Sequence, residues 1–215
     1  MKCMTEIQDV EFDELVPVSY LHILYKYLFL YEEIYQIKEI TQNHIEKFLV
    51  YWYPRNFLDF SDDDIRAVIK NTKIYINWCK RHKCVRDIDL LSLNEIEEEL
   101  LKIRRISSKI SSLKIQIKRT NVKAGRSIWI EDSIERHVQY EMLTSWFYVL
   151  ETGMDNCLLK RVKDNHIFYL ENDSIIRNLG LKDEIVTLEI YKERGELWRI
   201  TNIGLVYSSK AKKYL

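Results

Sequence analysis

Two prolines and five glycines in 215 residues argue against a glycine-rich phosphate loop and against long flexible linkers. A net charge of zero argues against a uniformly basic nucleic-acid binder, so any such role has to rest on a local patch. The four cysteines, at 3, 79, 84 and 157, are too scattered for a disulfide framework, and a reduced, cytoplasmic protein with free thiols is the expectation. Acids between Asp9 and Glu14 stand where a signal peptide needs a basic and then apolar start. The longest apolar run, Tyr20 to Tyr31, is interrupted by His22 and Lys26 and is too short to span a bilayer, so no membrane partner is expected. Walker and dinucleotide fingerprints, G-x-S-x-G and a glycine-flanked cysteine are all missing.

A hydrophobic fraction of 47% is sufficient to bury a core. Its pattern centres on a long helix over 92–119, in which Ile96, Leu100, Ile103, Ile106, Ile110, Leu113 and Ile117 recur every three or four residues. Ser92 and Glu95 match a capping box at its start. Before it, Pro17 suits a first helical turn, and Leu21, Leu24, Leu28, Tyr31 and Tyr35 continue at helical spacing. Thr41 is a good N-cap for a second helix with Ile45, Phe48, Leu49 and Trp52 buried, which Pro54 is expected to close. Ser61 and Asp64 mark a third, lined by Ile65, Val68, Ile69, Thr72, Ile76 and Cys79, with Lys80 to Lys83 complementing the helix dipole in the last turn.

Thr120 to Ser127 loses the helical period and contains Gly125, which places a domain boundary at 120/121: a helical bundle over 1–120 and a second domain over 121–215. Residues 128–143 fit a strand or a short helix. Beyond them the pattern is β. Trp146 to Leu150 reads as a strand, Gly153 as a turn, and Cys157 to Val162 with Ile167 to Leu170 as a hairpin. Ile185 to Tyr191 alternates and pairs back through Leu197 to Ile200, with Leu205 to Tyr207 last. Five or six short strands in so few residues predict a small β-barrel, and the fold class is α+β.

Within 40–83, the order Thr41, Ile45, Phe48, Leu49, then Ser61, Ile65, Ile69, Ile76 and Trp78 resembles the N-terminal core-binding (SAM-like) domain of tyrosine recombinases. In that family the domain clamps DNA beside a separate catalytic domain, so the resemblance implies contact with DNA. It covers about a fifth of the chain at core positions. No histidine is followed at the third position by arginine, so the family's H-x-x-R motif and its catalytic domain are absent. The half from Trp146 to Tyr207 is similar in pattern to small barrels appended to many bacterial proteins.

Candidate reaction centres are weak. Cys79, His82 and Cys84 lack the second close-spaced pair that structural zinc requires. Cys157 with His137 or His166 reads as a buried strand thiol near two histidines. Asp62, Asp63 and Asp64 suit a helix start, and Glu97, Glu98 and Glu99 fan around their helix. No catalytic residue, metal or cofactor is expected. The feature that stands out is the run Lys102, Arg104, Arg105, Lys109, Lys114, Lys118, Arg119, Lys123 and Arg126, nine basic residues uninterrupted by an acid. Lys102, Arg105 and Lys109 flank one side of the apolar stripe, Lys114 and Lys118 the other. With Arg119 and the nearby Lys80, Arg81 and Lys83 they form a candidate phosphate-contacting set. The expectation is a non-enzymatic binding module, an accessory DNA-associated protein using this helix. The alternative is a protein–protein adaptor or homodimer built on the helix 92–119.

Overall fold

The computed structural model describes residues 18–57, 60–85, 88–123, 141–153, 156–171, 174–192 and 197–215, with side chains at all of these except 18, 19, 113–123 and 174. Two compact units can be distinguished, 1–104 with Tyr214, and 105–213 with Leu215. Helices come first and a five-stranded antiparallel sheet follows, an α+β chain.

Helix α1, Val18–Leu30, buries Leu21, Leu24, Tyr27 and Leu28. It ends before the apolar period does. Tyr31 and Glu32 both donate their N–H to Tyr27 O, Glu33 takes a positive φ of 54°, and the chain turns away. Tyr31 and Tyr35 are therefore 56% exposed despite their helical spacing.

Helix α2, Gln42–Lys47, follows Thr41 as expected and runs through a π-turn, Phe48–Trp52, into a short α3, Tyr53–Asn56. Pro54 does not close this helix. A proline ring collides with the carbonyl four residues back and removes one N–H, but the widened turn just before it relaxes that conflict. The helix continues to Asn56, and Tyr53 and Pro54 are both buried. An aromatic core collects here: Tyr27 lies 5.2 Å from Phe48 and 5.3 Å from Trp52, and Tyr53 lies 5.1 Å from Phe57 and 5.5 Å from Phe60. Tilted and stacked ring pairs of this kind add stabilisation beyond their buried area.

Helix α4, Asp62–Arg81, opens on a complete capping box: Asp64 N–H donates to Ser61 Oγ at 3.1 Å and Ser61 N–H donates to Asp64 Oδ2 at 2.8 Å. All six expected stripe residues are buried, with Asn71 and Tyr75 beside them. Helix α5, Ser92–Lys123, begins where the sequence places it and runs past Arg119, about 48 Å at 1.5 Å per residue. The Ser92 hydroxyl donates to Asp89 O and accepts from Gln42 Nε2, both at 2.9 Å.

In the second unit, β1 (Glu141–Thr152), β2 (Asn156–Arg161), β3 (Ile167–Glu171), β4 (Ile185–Lys192) and β5 (Arg199–Tyr207) form a sheet in the order β3-β2-β1-β4-β5. The expected β2–β3 hairpin is present, with Asn165 at a φ of 62° in its turn. Phe147, Val149, Cys157, Leu159, Phe168, Leu170, Val186, Leu188 and Ile190 alternate into one buried face. The sheet is not closed into the barrel that the strand count predicts. Among the described residues its two edges approach at one point, a parallel bridge between Leu170 and Trp198. Two backbone hydrogen bonds there, Glu171 N–H to Trp198 O and Trp198 N–H to Tyr169 O, stand where a closed barrel needs a full ladder. A short helix α6, Ser174–Leu179, interrupts the β pattern and ends at Gly180. The ambiguous 128–140, like 124–127 before it, lies outside the described residues.

Candidate nucleic-acid interface

Helix α5 owes its placement to the stripe Leu93, Ile96, Leu100, Ile103, Ile106 and Ile110, each at most 5% exposed. At about 100° per residue, Lys102, Arg105 and Lys109 then share one flank, and all three are exposed. Arg105 and Lys109 have no carboxylate partner among the described residues. The side chains of Lys114, Lys118 and Arg119 lie outside the described residues.

Arg104, one member of the basic run, is engaged otherwise. Its Nε donates to Phe60 O at 2.8 Å and stands 3.4 Å from Asp62 Oδ1. It ties α5 to the start of α4. Lys73, in the middle of α4, donates to Asn94 Oδ1 at 2.7 Å and pairs with Glu97 at 3.7 Å. These two ties make α4 and α5 antiparallel over this stretch. Lys80, Arg81 and Lys83 consequently lie toward the end where α5 begins, and Lys102 toward the end where α4 begins. Arg81 and Lys83 are exposed and Lys80 is half-buried. The nine candidate positions thus include one described flank on α5 and one separate basic turn at the end of α4.

The remaining chemistry-bearing groups have structural partners. Asp64 is held below the usual carboxylate range by the hydroxyl and amide of Ser61 and by Tyr20, whose OH donates to Oδ1 at 2.8 Å. Asp62 faces Arg104, Asp63 pairs with Arg66 at 3.2 Å, and Glu97 with Lys73. The three aspartates therefore serve three different contacts. Tyr27, pushed well up by burial and by its hydrogen bond to Glu32, sits above the Glu32–Lys47 ion pair of 2.7 Å. Burial pushes the Cys79 thiol up to about 12. His82 lies on the Trp78 ring at 4.4 Å with Nδ1 3.0 Å from Trp78 O. Cys157 is buried in β2, while His166 is exposed and rests on Phe168 at 4.8 Å. Among the described residues no three His, Cys, Asp or Glu side chains converge as metal ligands, and no helix is long and apolar enough to cross a membrane.

Sequence reasoning missed a serine cluster beside the basic flank. Ser111 and Ser112 donate their hydroxyls to the carbonyls of Ser107 and Ser108, at 3.1 and 3.0 Å. The available signal was serine inside a helical stretch, since such back-bonding accepts at the backbone carbonyl four positions earlier.

Charge also divides between the units. Over 105–213 there are 19 Lys and Arg against 14 Asp and Glu, a net of +5; over 1–104 there are 14 against 19, a net of −5. Comparison with family models, curated proteins and solved structures finds no match to this chain.

Proposed function

We propose that the protein is a non-enzymatic nucleic-acid-binding module that lays the Lys102, Arg105 and Lys109 flank of α5 against the phosphates of duplex DNA. The observation that carries this reading is the charge segregation: a chain of zero net charge keeps eight basic residues, Lys102 to Lys123, on one helix with no acid among them. The helix dipole favours cations only at the last turn, whereas this run extends over several turns. The resemblance of 40–83 to a DNA-clamping domain points the same way.

The test is binding of the full chain to fluorescent duplex DNA across a salt series. Log K is expected to fall linearly with log salt, with a slope of about −0.9 per phosphate contact. Lys102→Ser, Arg105→Ser and Lys109→Ser are each expected to weaken binding and to shallow the slope by about that increment. No binding at low salt, or a slope unchanged in the triple variant, overturns the proposal. The adaptor or homodimer alternative draws on the same helix. The stripe is buried within the chain through Ile110. Leu113 and Ile117 continue the stripe in the sequence and are the positions to charge in that experiment, with sedimentation as the readout.

A further inference from the structure

Cys79 and Cys84 bracket the basic turn in the sequence C-K-R-H-K-C. The turn is a Schellman motif: Cys84 N–H donates to Cys79 O at 2.9 Å, and Lys83 N–H donates to Lys80 O at 3.0 Å. Lys83 supplies the left-handed residue at a φ of 56°. In this motif the side chains at the two ends of the longer hydrogen bond lie on neighbouring positions and frequently meet, ordinarily as an apolar pair. Here both are thiols. Burial, the largest influence, raises the Cys79 thiol, the Tyr75 hydroxyl opposes, and the charge of neighbouring Cys84 raises it further. Tyr75 is also raised, chiefly by burial, and feels both thiols. Cys79 is 1% exposed, while Cys84 is half-exposed with its Sγ 3.6 Å from His82 O.

We propose that Cys79 and Cys84 are a dithiol site that closes to an intramolecular disulfide by exchange with a low-molecular-weight disulfide such as oxidised glutathione. The accessible Cys84 thiolate attacks one sulfur of the glutathione disulfide. That S–S bond breaks, a mixed disulfide forms at Cys84, and one glutathione thiolate leaves. Cys79 then loses its proton to solvent, and its thiolate attacks Cys84 Sγ, releasing the second glutathione. Two protein thiols are oxidised and one disulfide is reduced to two thiols. The product fastens the turn that carries Lys80, Arg81, His82 and Lys83. Because Cys79 is pushed up to about 12, the second step is slow near neutrality and accelerates with its thiolate fraction, about tenfold per pH unit.

The experiment incubates the full-length chain with oxidised glutathione and quenches it in acid. The thiols are then alkylated under denaturing conditions and the peptides are weighed. The expected result is a peptide spanning 79–84 that lacks two hydrogens, preceded by a glutathione adduct on Cys84. The adduct's decay should speed up about tenfold from one pH unit to the next. Cys84→Ser is expected to leave Cys79 unmodified, and Cys79→Ala to trap the adduct on Cys84. If Cys79→Ala fails to fold, Cys84→Ser and the wild-type time course decide. Wild type halting at the adduct, closure independent of pH, or linkage to Cys3 or Cys157 overturns the proposal.

Discussion

Lys83 and Gly180 occupy the same station of the same motif. Each takes a positive φ, 56° and 69°, just past a helix end, and each motif carries the same pair of backbone bonds: Lys83 to Lys80 O with Cys84 to Cys79 O, and Gly180 to Arg177 O with Leu181 to Ile176 O. Only the residue type differs. A side chain in the left-handed region costs about 1–2 kcal/mol, and glycine recovers it at a cost of about 0.5–1 kcal/mol in unfolded-state entropy. Lys83→Gly should therefore stabilise the protein by about 0.5–1 kcal/mol. Gly180→Ala should destabilise it by about 1 kcal/mol, through the backbone alone, since nothing lies within 4 Å of the added Cβ. Urea denaturation of the two variants checks this, and shifts of the same sign would refute the strain argument. The pair also shows what one residue discloses. Gly180 announces its turn in the sequence, because glycine is the usual tenant of that conformation. Lys83 announces nothing, and its turn is held by the bonds around it.

Helices were legible where their period was long and their caps were intact. The stripes of α4 and α5 were readable because apolar residues recur at helical spacing over about four and about six turns, and the Ser61–Asp64 box marks a start that no interior packing could blur. Where one residue was asked to decide, reading failed. Pro54 was expected to end a helix but sits past a π-turn, and Tyr31 and Tyr35 keep a period that the backbone has abandoned. Helix α6 has six residues, too few for a period to show among strands, and barrel closure depends on pairing between distant edges that no local pattern records. The α4 cap yields a test on its own scale. Asp64 is held below its ordinary pKa by Ser61 and then Tyr20. Such a group stabilises the fold fully above the unfolded value, about 4, and loses that contribution as pH falls through its folded value. The stability gap between wild type and Asp64→Asn should be widest above about pH 5 and narrow below about pH 4. Thermal unfolding at a series of pH values measures it, and a gap constant from neutrality to about pH 3 would mean that the carboxylate does not anchor the helix.

Over the whole molecule, charge placement was half legible. The unbroken basic run from Lys102 to Arg126 was open to counting; that Arg104 is turned onto Phe60 and Asp62, and that Lys80 to Lys83 sit at the far end of an antiparallel pair from Lys102, was not, because both depend on neighbours distant in sequence. The division into +5 and −5 likewise emerges only once the compact units are drawn. Zero net charge removes the long-range repulsion that keeps most proteins apart, while opposite charges on the two units let one molecule's basic half attract another's acidic half. That attraction extends about 30 Å at 0.01 M salt and about 10 Å at 0.1 M. Light scattering near neutral pH should accordingly report a weight-average mass above the monomer at about 0.01 M salt, relaxing toward the monomer by about 0.15 M. Replacing Lys102, Arg105 and Lys109 together by serine should weaken the low-salt association, since it lowers the positive charge on one unit and gives the chain a net negative charge. A mass indifferent to salt at the monomer value would show the segregated charge too diffuse to act between molecules, and would weigh against its acting on phosphates. Association that persists or strengthens as salt rises is the signature of apolar contact, and would favour self-association through Leu113 and Ile117 over the basic flank as the working surface of α5.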